Sequence, residues 1–150
     1  MRKAIFGILA LAIVLMMVGA SADEADLDLS ILGKSKQSCR EGETVTYEFK
    51  LENTADVTQS VEVTTYTPRY YGDPGFFHNV YIGDVAMGHY FVLEMEPDEI
   101  VYLDLDVWAY DSPDEVPMYQ VDLHAFSTLD ADWIRTETRR AGGGGGGPGI

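Results

Sequence analysis

The chain has 150 residues, a formal net charge of -15 and a single cysteine, Cys39. This length fits one small domain with a modest core and excludes two. The strong negative charge makes nucleic acid and anionic membrane surfaces poor partners. Because one cysteine cannot form an intrachain disulfide, we expect the fold to depend on its core, a bound ion or a partner chain.

Residues 1–22 have the three zones of a secretory signal peptide. Arg2 and Lys3 are basic, residues 4–18 are apolar, and Ala20-Ser21-Ala22 offers a cleavage site before Asp23. An uncleaved leader would be the only membrane contact, but it is shorter than the roughly 20 apolar residues of a spanning helix. Either interpretation predicts a secreted or cell-surface protein. All 25 acidic residues but only eight of the ten basic ones follow the leader, so the mature chain carries -17.

Apolar and polar residues alternate with a period of two in several segments after the leader, which is typical of half-buried strands. The predicted strands are residues 27–31, 43–51, 57–65, 90–94, 100–110, 119–126 and 133–138. No helical period follows residue 22. We therefore predict an all-β domain over residues 23–138, an Ig-like antiparallel β-sandwich of about seven strands that follows an N-terminal signal helix.

The inward row of each strand predicts one core between two sheets. Its members are Val45, Tyr47, Phe49, Val61, Val63, Val101, Leu103, Leu105, Val121 and Leu123. Residues 66–88 interrupt the regular spacing, because Pro68, Gly72, Asp73-Pro74-Gly75 and Gly83 indicate turns. We expect an elaborated loop there, with one short strand around residues 79–82. Residues 139–150 are rich in glycine and predict a disordered, flexible linker or tail.

Two stretches resemble exported Ig-like modules of archaeal and bacterial surface proteins. The first is Gly42-Glu43-Thr44-Val45-Thr46-Tyr47 with Leu51-Glu52-Asn53-Thr54-Ala55-Asp56, and the second runs from Leu93 to Val107 and on to Ser127. Both are similar to Ig-like domains associated with α-galactosidases and to cell-adhesion-related CARDB domains. The resemblance covers roughly residues 27–138 and implies an Ig-like fold with a role at the cell surface. Ala55, Asp98 and Met118 depart from it, since glycine is usual at these positions.

Aromatic residues are concentrated between residues 66 and 90, with Arg69 as the only positive charge among them. The candidate ligand-binding residues are Tyr66, Tyr70, Tyr71, Phe76, Phe77 and Tyr81. Exposed rings bind sugars by stacking and bind proteins by burying large, stiff surfaces. Alternatively, the segment folds back and its rings cap an open end of the sandwich.

Carboxylates suggest two places for a cation. In the loops, Asp111, Asp114 and Glu115, joined by Asp130 and Asp132 if the sheet ends meet, would form a calcium site, the one candidate cofactor. On the strands, Asp104 and Asp106 would share a face with Asp122 and His124 if their strands are neighbours. A solvated acidic surface explains the same residues without any ion.

The sequence has no catalytic motif: the histidines His78, His89 and His124 are scattered, and no nucleophile elbow or phosphate loop occurs. We therefore expect a non-catalytic secreted or cell-surface Ig-like module for adhesion, spacing or protein assembly. Its partner would be an extracellular or envelope protein or a glycan. The alternative is a carbohydrate- or calcium-binding module that serves an exported enzyme or an envelope layer.

Overall fold

The computed structural model describes residues 25–142, which form ten strands and include no helix that could span a membrane. The strands are β1 (Leu27–Ile31), β2 (Lys36–Cys39), β3 (Thr44–Asn53), β4 (Gln59–Tyr66), β5 (Phe76–Ile82), β6 (Val85–Gly88), β7 (Tyr90–Met95), β8 (Ile100–Ala109), β9 (Met118–Phe126) and β10 (Ala131–Arg140). The signal peptide and most of the glycine-rich tail lie outside the described residues.

Two five-stranded sheets form the sandwich. The strand order is β1-β3-β8-β5-β6 in the first sheet and β2-β10-β9-β4-β7 in the second. Neighbouring strands of the described part of the chain are antiparallel except β2 and β10, which are parallel. The predicted all-β, Ig-like sandwich is confirmed, with ten strands in place of about seven.

The core lies between the sheets and consists of the inward rows of alternating strands. Of the residues predicted for it, eight are buried: Tyr47, Phe49, Val61, Val63, Leu103, Leu105, Val121 and Leu123. Val45 and Val101 are only partly buried and pack against this cluster from the ends of their rows. The period-two pattern therefore identified the core correctly, because a sheet with one covered face buries every second side chain.

The prediction of an elaborated loop over residues 66–88 is wrong for residues 76–88, whereas residues 67–75 do form a loop and the short strand expected around residues 79–82 lies within β5. This segment contains β5, a full strand paired with β8, and β6, which pairs with β5 at the edge of the first sheet. Phe76, His78 and Val80 point inward along β5 and are buried. The polar His78 interrupts the apolar alternation, and that is why the pattern did not indicate a strand.

The C-terminal strand also differs from expectation. β10 lies inside the second sheet between β2 and β9. It extends through Arg140, so the first two residues assigned to the tail belong to the sheet. β2 was not predicted at all, because its sequence Lys-Gln-Ser-Cys has no apolar alternation.

One turn of the resemblance keeps a glycine-type backbone conformation without the usual glycine. Asp98 has a φ of 67°, the left-handed region that favours glycine, and its N–H donates to Asn53 O at 2.8 Å. The Asn53 amide group in turn donates to Val57 O and Met95 O, both at 2.9 Å. These bonds hold together the β3–β4 and β7–β8 turns at one end of the sandwich.

Cys39 is fully buried, and its thiol donates to Glu43 O at 3.1 Å. Burial raises the pKa of this thiol, which disfavours the reactive thiolate. A disulfide to another chain, the alternative open from the sequence, would require the strand end around Cys39 to open. Cys39 therefore belongs to the core.

His78 forms a buried polar cluster between the sheets. Its Nδ1 lies 2.9 Å from Tyr119 Oη and its Nε2 lies 2.9 Å from Thr65 Oγ1. The His89 ring stacks on the His78 ring at a centroid distance of 4.3 Å. Burial, and then the neighbouring His89, lower the pKa of His78 to about 4, so that His78 is neutral at physiological pH.

Two carboxylates at the start of β10, Asp130 just before the strand and Asp132 within it, fix β1, the edge strand of the first sheet. Asp130 Oδ2 accepts hydrogen bonds from the N–H groups of Asp26 and Leu27 at 2.9 and 3.1 Å, and Asp132 Oδ2 accepts one from Leu29 N–H at 3.0 Å. Burial alone would raise the pKa of Asp130, but three backbone N–H donors outweigh it and lower this pKa. Asp130 and Asp132 are therefore hydrogen-bond acceptors for β1.

Replacing Asp130 by alanine is expected to lower the free energy of unfolding by about 1–3 kcal/mol, because two backbone donors at the start of β1 lose a charged acceptor. Urea denaturation followed by circular dichroism measures this loss. The matched control is Asp28→Ala, which removes the same charge from an exposed position on β1. Equal midpoints for the two variants would contradict the structural role of Asp130.

Candidate functional site

The six predicted ligand-binding aromatic residues do not share one surface. Tyr70 and Phe76 stack on either side of Tyr119, with centroid distances of 5.5 and 5.1 Å. The Arg140 guanidinium lies over the Phe76 ring at 4.5 Å. The Tyr70 hydroxyl accepts a hydrogen bond from Gln120 N–H at 2.9 Å. These two rings therefore cap one end of the sandwich, as the alternative interpretation expected.

The other four rings lie in three different places. Phe77 and Tyr81 are on the outer face of the first sheet, where Phe77 packs edge-on against Trp108 at 4.8 Å. Tyr71 stands alone in the β4–β5 loop and is 93% exposed. Tyr66 lies on the outer face of the second sheet. The single aromatic loop that the sequence suggested is thus divided between both sheets and a capping contact.

The predicted calcium ligands in the loops do not converge. Among residues 25–142 no group of three or more His, Cys, Asp or Glu side chains has an arrangement that could hold a metal ion. Glu115 lies 3.6 Å from the Arg140 guanidinium. Asp114 packs against Gly72, where a Cβ atom would collide with its carboxyl group. Asp111 is exposed.

The carboxylates on the strands are also separated. β8 belongs to the first sheet and β9 to the second, so Asp104 and Asp106 lie on the opposite side of the molecule from Asp122 and His124. The expectation of a shared cation face is therefore wrong. Burial, and then the nearby Glu48 and Asp106, raise the pKa of Asp104.

A row of three rings crosses the outer face of the second sheet. Thr64 and Trp133 flank His124 in the register of β4, β9 and β10. The Trp133 and His124 rings are nearly parallel, with centroids 5.6 Å apart and an interplanar angle of 11°. Tyr66 meets the other side of His124 edge-on at 4.7 Å. Tyr66, His124 and Trp133 together are the ring row.

The ring row remains open to solvent. Trp133 is 51% exposed and Tyr66 is 53% exposed. β2 pairs only with the part of β10 from Glu137 to Arg140, so no described strand of the second sheet flanks Trp133 on that side. A ligand that approaches the edge of β10 can therefore contact the indole ring without displacing protein.

A charged pair borders the ring row. Arg135 donates from Nε and Nη2 to the two carboxylate oxygens of Asp122, at 2.8 and 3.0 Å. This hydrogen bonding raises the pKa of Arg135 above its ordinary value. The guanidinium carbon also lies 5.7 Å from the centre of the Trp133 ring. The surface thus combines flat apolar rings with donors and acceptors in fixed positions.

Sequence reasoning missed Trp133 and Arg135 as site residues. Both lie at outward positions of β10, where alternation alone predicts solvated side chains. Their importance depends on the antiparallel register that places Trp133 opposite His124 and Arg135 opposite Asp122. An aromatic and a basic residue spaced by two on a strand was the only indication available from the sequence.

No protein-family model and no curated protein sequence matches the chain. Among solved structures, it is similar to the FixG-related protein from Vibrio parahaemolyticus, with a TM-score of 0.52, 11% identity, and coverage of 78% of this chain and 98% of that chain.

Two further structures are similar at lower TM-scores. A family 123 glycoside hydrolase from Clostridium perfringens has a TM-score of 0.49 and 10% identity over 76% of this chain and 27% of that chain. The pilin subunit BcpA from Bacillus cereus has a TM-score of 0.40 and 13% identity over 77% of this chain and 39% of that chain. At these identities the likeness concerns the fold alone.

Proposed function

We propose that this protein is an exported, non-catalytic adhesion module that binds a glycan on the outer face of its second sheet. The observation that carries the proposal is the ring row beside the Arg135–Asp122 pair. Half of the Trp133 surface is open to solvent, and the neighbouring rings and strands hold the indole in place.

The chemistry of the ring row suits a sugar. The face of a pyranose ring that carries C–H groups stacks on an aromatic ring, because the negative face of the ring attracts these weakly positive hydrogens. Sugar hydroxyls both donate and accept hydrogen bonds, and Arg135 and Asp122 supply a charged donor and a charged acceptor next to Trp133. Orientation of these groups before binding reduces the entropy cost of holding a ligand.

The sequence supports an extracytoplasmic location for this module. Residues 1–22 have the zones of a secretory leader, and the turn motifs resemble those of CARDB-like and α-galactosidase-associated surface modules. The net charge of -17 after the leader suits a soluble protein outside the cell and disfavours anionic polymers at the ring row. We accordingly expect a neutral glycan at the ring row.

Replacing Trp133 by alanine is expected to weaken glycan binding at least tenfold, about 1.4 kcal/mol, because the stacking surface is lost. The chain has two tryptophans, so in a Trp108→Phe background the emission of Trp133 reports binding directly. The affinity is measured by titration with soluble xylan, galactomannan and starch, and by affinity electrophoresis in gels that contain each polymer.

The control is Tyr102→Ala, which removes a ring with 59% exposure from the outer face of the first sheet. This variant is expected to bind like the wild type. Unchanged Trp133 emission and mobility with a full panel of neutral glycans would contradict the proposal and favour a spacing or protein-assembly role. Equal losses in both variants would exclude the ring row as the specific site.

A further inference from the structure

A groove of about 440 Å³ lies on the outer face of the second sheet, where it crosses β2, β10 and the start of β9. It is defined by the side chains of Lys34, Lys36, Ser38, Met118 and Arg139, with Gln37 and Glu137 beside them, and is called the β2 groove. Three of these residues are basic and one is acidic. The groove thus carries a net positive charge on a mature chain of -17.

The cations of the β2 groove are largely uncompensated. Lys34 and Arg139 form no ion pair with any of residues 25–142. Lys36 lies 3.7 Å from Glu137, and its side chain is 74% exposed. Glu137 also accepts a hydrogen bond from Gln120 Nε2 at 3.1 Å. In a chain with 25 acidic residues, three basic side chains gathered in one groove with a single carboxylate are available to an outside anion.

β2 lies at the edge of the second sheet and also presents an open strand edge beside this groove. Ser35 O and Cys39 O accept backbone hydrogen bonds from β10 at 2.9 Å, so alternate residues of β2 face β10. The N–H and C=O groups of Lys36 and Ser38 consequently point away from β10, since successive residues of a strand alternate in direction. Such an edge is a template for a further strand.

We propose that the β2 groove binds an extended acidic peptide segment of a partner protein by adding it as a strand beside β2. The outward backbone groups of Lys36 and Ser38 would pair with the peptide main chain, which supplies affinity. Lys34 and Lys36 would contact carboxylates of the peptide, and the long side chain of Arg139, which lies opposite Ser38 on β10, would reach over Ser38 to another. This site is separate from the ring row and does not depend on glycan binding.

The partner is a peptide rather than an anionic polysaccharide because the basic side chains of the groove lie beside the backbone donors and acceptors of the β2 edge. A polysaccharide would use the cations alone and would leave the strand edge unpaired. The proposal therefore requires both features, and each is removed by a different substitution.

The experiment uses fluorescence polarisation of a labelled peptide of alternating Glu and Val, with a Gln-Val peptide as the neutral analogue and polygalacturonate as the polysaccharide. The double variant Lys34→Gln with Arg139→Gln removes the two unpaired cations. The matched control, Lys50→Gln with Arg69→Gln, removes the same charge elsewhere in the chain. Ser38→Pro removes the outward N–H while leaving the pairing with β10 intact.

We expect the wild type and the matched control to bind the Glu-Val peptide equally. Binding should be at least about tenfold weaker in the Lys34/Arg139 variant and in Ser38→Pro, and the Gln-Val peptide should bind as weakly. Circular dichroism verifies that each variant is folded. If Ser38→Pro does not fold, the Lys34/Arg139 variant decides the result.

Three outcomes would overturn the proposal. The first is no binding of the Glu-Val peptide at about 1 mM, a concentration well above the dissociation constants of specific peptide recognition. The second is an equal loss in both double variants, which would mean general charge attraction. The third is tight binding of polygalacturonate that Ser38→Pro leaves unchanged, because the groove would then recognise charge without adding a strand.

Discussion

Replacing Leu103 by alanine is expected to lower the free energy of unfolding by about 2–5 kcal/mol. Leu103 lies on β8, the central strand of the first sheet, and is fully buried opposite Phe49. Loss of its side chain removes apolar contacts and leaves a cavity that the two sheets cannot close. Because small domains have only about 5–15 kcal/mol of stability, much of the total would be lost. Urea denaturation measures the change.

The neighbouring Tyr102 provides the control for Leu103. It lies one residue away on the same strand but faces solvent, so Tyr102→Ala is expected to cost at most about 1 kcal/mol. If Leu103→Ala and Tyr102→Ala had the same denaturation midpoint, the assignment of inward and outward rows on β8 would be wrong.

The stability of the protein is expected to fall as the pH is lowered from 6.5 to about 4, because of His78. In the unfolded chain this imidazole takes up a proton near its ordinary pKa of 6.5, whereas in the folded protein it remains neutral until about pH 4. The unfolded state therefore binds more protons within this window, and its free energy decreases relative to the folded state. The loss of stability caused by His78 is absent above pH 6.5 and reaches about 3 kcal/mol near pH 4.

Substitution of His78 isolates this contribution. His78→Gln is expected to be less stable than the wild type near neutral pH, since the Tyr119 and Thr65 hydroxyls lose their partner, but its stability should depend less on pH between 6.5 and about 4. Denaturation midpoints of the wild type and His78→Gln are measured at several pH values. The difference between the two proteins at each pH isolates His78, because the carboxylates titrate equally in both. His124→Gln on the outer face is the control. Parallel pH profiles for wild type and His78→Gln would refute the role of His78.

The sequence alone was sufficient for the fold class and most of the core. Strict alternation around Phe49 and Leu103 predicts strands with one buried face, and hydrophobic burial then requires a second sheet. The resemblance also implied a turn at Asp98, whose positive φ appears in the structure at the position where the resemblance has glycine. These features depend only on neighbours along the chain.

Other features depended on tertiary contacts that no local pattern contains. β5 was hidden because His78 occupies an inward position, and this residue is tolerated there only through hydroxyl partners on two other strands. β2 is a strand because β10 supplies its hydrogen bonds, although its own residues are polar. In both cases partners far away in sequence compensate for a locally unfavourable residue.

The candidate sites show the same division. The sequence identified exposed aromatic and acidic residues, and a period of two assigned each to a face of its strand. Only the order and register of the strands decided that His124 lies beside Trp133 and Tyr66, while Asp104 lies on the opposite side of the molecule. The physical reason is that alternation follows from the geometry of a single strand, whereas the choice of neighbouring strands depends on packing and hydrogen bonding across the whole sandwich.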